Sequence, residues 1–200
     1  MALLLNAYQV NAITFTGNTA GLFGNDTALL QWGLGFDGPS SLLYEGVGEF
    51  SADVGVPFKV ATLTYNNTEI TPESDFSKTF SDMTLHSTVI TETGASILDA
   101  GLTIIETDNN SNISSDTVSL LFSDEDASFF SFNGEDFTFK LLGFENSSGD
   151  FDKFFIQPEN SNSPIGLYAE ITAVPVPSAI WLFLTAFTGL LTLNSRRTGV

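Results

Sequence analysis

The chain has 200 residues, enough for one domain or one domain plus signals, and 42% of them are hydrophobic, enough for a core. Its net charge is −18, and its six Lys and Arg include Arg196 and Arg197, so the body sets four lysines against 24 carboxylates; nucleic acid and anionic lipid are poor partners for such a surface. There is no cysteine, which removes disulfides, thiol catalysis and cysteine-ligated zinc together.

At the start, residues 1–12 carry a short apolar run, Leu3-Leu4-Leu5, and end in Val10-Asn11-Ala12, a spacing that signal peptidases accept. With no charged n-region, the segment reads as the remnant of a longer signal peptide, with cleavage after Ala12. From Ile13 to Thr172 the dominant period is two. Phe137, Phe139 and Leu141 alternate with Thr138 and Lys140, and Leu167, Ala169 and Ile171 alternate with Tyr168, Glu170 and Thr172. Half-buried antiparallel strands give this pattern. Strands are expected near 13–17, 28–33, 41–52, 57–66, 79–91, 101–106, 117–122, 128–133, 135–144, 151–157 and 165–173. Turn residues separate them at Asp37-Gly38-Pro39, Asn66-Asn67, Asn133-Gly134 and Ser147-Ser148-Gly149-Asp150. Short strands so spaced predict an all-β domain over 13–172, an antiparallel β-sandwich of jelly-roll-like type, followed by one C-terminal hydrophobic helix.

Three stretches of this body, Leu30-Gln31-Trp32-Gly33, Ser40 to Gly46 and Pro57 to Thr68, together with Phe137 to Phe144, resemble the choice-of-anchor K domain. The resemblance implies one β domain joined to a surface-sorting tail. It brings no catalytic residues.

Little in the body points to chemistry. His86 is the one histidine and sits among threonines on the polar face of a strand, with no local sign of a Ser-His-Asp triad and too few histidines for zinc. Asp124-Glu125-Asp126, Glu135-Asp136 and Asp150-x-Asp152 read as surface turns, and no enzymatic activity is expected. Asn25, Asn66, Asn112 and Asn146 head Asn-x-Ser/Thr triplets, which chance explains in so Asn- and Ser-rich a chain. No cofactor is expected, with calcium the one ion left open. Its candidate ligands are Asp108, Asn110, Asn112 and Asp116, or Asp150 and Asp152. The first group begins like an EF-hand loop, but Ile113 stands where glycine is needed and Ser119 where the bidentate glutamate belongs.

The end of the chain, 173–200, has three parts. Val174-Pro175-Val176-Pro177-Ser178 makes an extended spacer, because proline continues neither a strand nor a helix interior. Ala179 to Leu193 is apolar and uncharged, a helix of roughly 24 Å against a hydrocarbon core of about 30 Å. Arg196 and Arg197 then stop transfer and stay in the cytoplasm, which puts the body across the membrane. Ser178, Trp181, Thr185, Thr188 and Thr192 share one helical face, suited to close approach by a membrane partner.

Pro175, Val176, Pro177, Ser178 and Trp181, followed by the apolar run and Arg196-Arg197, resemble a PEP-CTERM sorting signal, with Pro-Val-Pro in place of Pro-Glu-Pro. The resemblance implies a bacterial cell and an exosortase, a membrane cysteine transpeptidase that cuts near the prolines. The expected protein is exported, held transiently in the inner membrane, and released to the cell surface or a biofilm matrix as a structural or adhesive component, with exopolysaccharide as a partner. The alternatives are a carbohydrate-binding module, for which Trp32, Tyr44, Tyr65 and Tyr168 are the aromatics to examine, and a secreted hydrolase.

Overall fold

The computed structural model describes residues 13–24, 26–35, 37–70, 79–92, 94–107, 114–123 and 126–175. These form thirteen strands: β1 (Thr14–Phe23), β2 (Leu29–Trp32), β3 (Ser40–Gly46), β4 (Phe50–Asp53), β5 (Phe58–Asn67), β6 (Thr79–Thr91), β7 (Gly94–Ile105), β8 (Ser115–Leu121), β9 (Ser128–Phe132), β10 (Glu135–Glu145), β11 (Phe151–Asp152), β12 (Phe154–Pro158) and β13 (Ser161–Ala173). They build two antiparallel sheets. One has the order β12-β8-β7-β6-β1-β4, and the other β11-β10-β13-β5-β3-β2 with β9 paired to β10.

The alternation in the sequence makes one face of each sheet apolar, and the two apolar faces meet. Phe15 of β1 packs on Phe137 of β10 with ring centroids 5.3 Å apart, and Phe144 of β10 packs on Phe155 of β12 at 4.9 Å. Tyr44 of β3 donates across the core to Ser87 Oγ of β6 at 3.1 Å. Residues such as Leu42, Leu63, Leu85 and Ile104 are fully buried between the sheets, and each such side chain contributes roughly 1.5 to 3 kcal/mol. The architecture is therefore the all-β antiparallel sandwich expected.

Two expected strands are each divided, for the same physical reason. The stretch 41–52 leaves one sheet as β3 and enters the other as β4. The crossing follows Gly46, where a Cβ would stand 2.1 Å from the Thr19 carbonyl oxygen, and is fixed by Thr19 N–H donating to Val47 O at 2.9 Å. The stretch 151–157 divides at Lys153 into β11 and β12, again one in each sheet. Here β10 bulges between Leu141 and Gly143, and Gly143 has φ +122° with the Asp152 carbonyl 2.4 Å from where a Cβ would be. Only glycine takes that backbone conformation without strain.

The expected signal remnant at 1–12 lies outside the described residues, and so does the expected apolar helix, which falls within 176–200. Among the described residues no helix is long and apolar enough to cross a membrane.

Candidate functional site

One end of the sandwich gathers acidic residues from segments distant in sequence. β8 alternates inward and outward, and its inward positions are Asp116, Val118 and Leu120. Asp116 thus takes a core position and is completely buried. Glu106 follows the last residue of β7, and Glu159 stands in the turn between β12 and β13. One carboxylate oxygen from each of Glu106, Asp116 and Glu159 lies within 4.8 Å of the other two.

The surrounding strands hold this cluster. β5 points Tyr65 and Asn67 inward from the opposite sheet, both fully buried. The Tyr65 hydroxyl donates to Asp116 Oδ2 at 2.5 Å, and the Thr107 backbone N–H donates to Asp116 Oδ1 at 2.8 Å. Trp32, at the end of β2, donates its indole N–H to Glu106 Oε2 at 2.8 Å. Asn67 Nδ2 donates to the Gln157 carbonyl at 3.1 Å, Gln157 being the register partner of Asp116. The turn carrying Glu159 is closed by its own N–H donating to Ser114 O at 3.2 Å and by Asn160 at φ 52°.

The electrostatics are strained in one direction. Burial, opposed by the Trp32 hydrogen bond and reinforced by the charge of Asp116, pushes the Glu106 carboxyl up to about 8. Burial and the charge of Asp116 likewise push Glu159 up to about 7. Burial, then the hydrogen bond to Asp116, holds the Tyr65 phenol in its neutral form far above its usual range. Four buried oxygens make no hydrogen bond among the described residues, Glu106 Oε1, Glu159 Oε1, Glu159 Oε2 and Asn67 Oδ1, although the Asn67 amide lies beside Glu159 and favours its charged form. Each such orphan costs about 1 to 3 kcal/mol.

The residues singled out in sequence are divided by this geometry. Asp116 is in the cluster. Asp108, Asn110 and Asn112 lie outside the described residues, in the segment joining β7 to β8. Asp150 and Asp152 belong to a separate turn that satisfies itself: Asn146 Oδ1 accepts from the N–H groups of Ser148 and Asp150 at 2.9 and 3.0 Å, and Asn146 Nδ2 donates to Asp152 Oδ2 at 2.9 Å. Pro175 is exposed just beyond β13, where Val174 N–H donates to Asp136 O at 2.8 Å. Val176, Pro177, Ser178, Trp181, Arg196 and Arg197 lie outside the described residues.

Sequence reasoning missed Glu106 and Glu159, which have no patterned neighbours. It also missed the partner of His86, whose Nδ1 lies 2.7 Å from Asp99 Oδ1 on the solvent face, with both side chains exposed. His86 stands between Leu22 and Asp99 in the sheet, so its in-register neighbours include no serine. Of the four aromatics, Trp32, Tyr44 and Tyr65 are core residues. Only Tyr168 is partly exposed, beside Phe151 at 5.3 Å.

Compared with known proteins, the chain matches no family model, and no curated protein is similar to it in sequence.

Proposed function

We propose that the chain is an exported cell-surface or matrix protein of structural or adhesive type, delivered by a C-terminal sorting tail that an exosortase removes. The observation that carries this reading is the order of elements in 174–197: a Pro-Val-Pro-Ser spacer, an uncharged apolar run and then Arg196-Arg197 after a body holding every acidic residue. It resembles a PEP-CTERM signal, and the body before it, taken as a jelly-roll-like sandwich of choice-of-anchor K type, is what such a tail would deliver. The exposure of Pro175 at the end of β13 supports access of a processing enzyme to the junction.

The outer face of the β12-β8-β7 sheet supports the adhesive half. Ile105 and Ile156 flank Thr117 in register and Phe154 lies beside them, with exposures of 44%, 59% and 50%. Exposed apolar side chains gathered on one sheet face suit an interaction surface. A sugar-binding platform draws no support from Trp32, Tyr44 or Tyr65, because they are buried. Hydrolysis is the weaker alternative as well. The Glu106, Asp116 and Glu159 oxygens converge within 4.8 Å, closer than the roughly 5 to 9.5 Å at which a carboxylate pair straddles a glycosidic bond.

The tail is tested by transfer. Residues 173–200 fused to an inert secreted reporter should leave it at full length in the membrane fraction of cells without an exosortase, and free of the tail outside cells that have one. The same fate in both strains defeats the reading.

A further inference from the structure

We propose that Glu106, Asp116, Glu159 and Asn67 form a calcium site that fastens the two sheets together at this end of the sandwich. Three carboxylates within 4.8 Å of one another would on their own be an acidic cluster. Two further observations point to a ligand. Asn67 is fully buried beside Glu159, its amide nitrogen donates to the Gln157 carbonyl at 3.1 Å and favours the charged form of Glu159, and its Oδ1 has no partner among the described residues. Glu106 Oε1 and both Glu159 oxygens are buried and make no hydrogen bond among the described residues. A cation where the three carboxylates converge supplies the positive charge that this buried end of the sandwich lacks among its described residues.

The donor set selects the ion. Every ligand atom is oxygen, with no imidazole or thiolate in the cluster, which favours hard cations over zinc or copper. Oxygen ligands at about 2.3 to 2.6 Å around one calcium stand roughly 3 to 5 Å from one another, the spacing seen here. Glu159 can bind through both oxygens, and water completes the six to eight that calcium takes. Magnesium dehydrates reluctantly and suits a buried, all-protein cage less well. The neighbouring groups keep the ligands in place: Tyr65 and Thr107 orient Asp116, and Trp32 orients Glu106. The ligands come from β8 and the end of β7 in one sheet, from β5 in the other, and from the turn linking β12 to β13. A bound ion therefore resists separation of the sheets. The site stands on its own geometry, whatever the fate of the tail.

The test uses the full chain, stripped with a chelator, and three probes. Calcium chloride at a hundredfold excess over Kd should raise Tm by about 5 to 10 °C. Magnesium and sodium at matched ionic strength should do much less, which separates a site from screening of the −18 charge. Terbium should show emission sensitised by Trp32 and Tyr65, which touch two of the ligands, and calcium should quench it by displacement. The variant E106Q/E159Q should lose both responses, while W32F, which removes the donor that orients Glu106, should lose indole-sensitised emission and weaken the calcium shift. The proposal is overturned by a Tm that calcium does not move, by magnesium acting equally, or by E106Q/E159Q keeping the full calcium response.

Discussion

Replacing Phe15 with alanine should lower the stability of the domain by about 3 to 5 kcal/mol, the range for truncating a fully buried phenylalanine. Phe15 has no solvent exposure, and its ring stands edge-on to Phe130, Phe132 and Phe137 with centroids 5.4, 5.3 and 5.3 Å away. Those rings belong to β9 and β10 in the opposite sheet, so the substitution removes contacts that hold the layers face to face. The cavity cannot close without shifting Phe130 and Phe137, which stack on each other at 5.5 Å. Urea unfolding should show a lower midpoint at unchanged slope. A loss below about 1 kcal/mol would mean that this cluster does not bridge the sheets.

The second large effect is a fall in stability as pH rises through neutrality, measured with a chelator present. Glu106 and Glu159 titrate near 8 and 7 when folded and near their ordinary 4.5 when unfolded. The folded state therefore holds their protons more tightly. Below about 4.5 both states are protonated at these groups and there is no penalty. Between 4.5 and 8 the unfolded chain ionises first, so stability drops, and above about 8 the loss is complete. Allowing for solvent screening at these partly exposed groups, the drop is on the order of 2 kcal/mol, or roughly 4 to 8 °C in Tm for a chain of this size. E106Q/E159Q cannot ionise there and should flatten the profile between pH 5 and 8. An equally steep profile in that variant would place the pH dependence in the other carboxylates.

The period-two alternation made the sandwich legible, because a sheet with one buried face writes its orientation into every second residue. The bounds of β6 and most of β10 follow from it directly. What alternation cannot show is a change of sheet, since the inward face stays apolar on either side of the crossing. The breaks after Gly46 and at Lys153 lie where a glycine of one strand meets a backbone carbonyl of another, Gly46 with Thr19 and Gly143 with Asp152, and no local pattern reports that pairing. Gly94 to Ala100 lies outside the expected strand 101–106 because glycine, alanine, serine and aspartate carry little strand preference.

The carboxylate cluster was half legible. Asp116 stands two and four residues before Val118 and Leu120, so a carboxylate at an inward position of an alternating strand was visible in the sequence. A buried charge needs partners. Its donors are Tyr65 and the Thr107 N–H, two other carboxylates crowd it from residues 106 and 159, and register alone brings Gln157, and with it the Glu159 turn, opposite Asp116. Long-range pairing of this kind is invisible to any window along the chain.

Export through the tail is tested most directly by the intact mass of the mature protein, isolated from cells with and without a functional exosortase. The mass should correspond to a chain ending near Pro175-Val176-Pro177 when the enzyme is present, and to one still carrying Arg196 and Arg197 when it is absent. A tail retained, or lost equally, in both would contradict the proposed function.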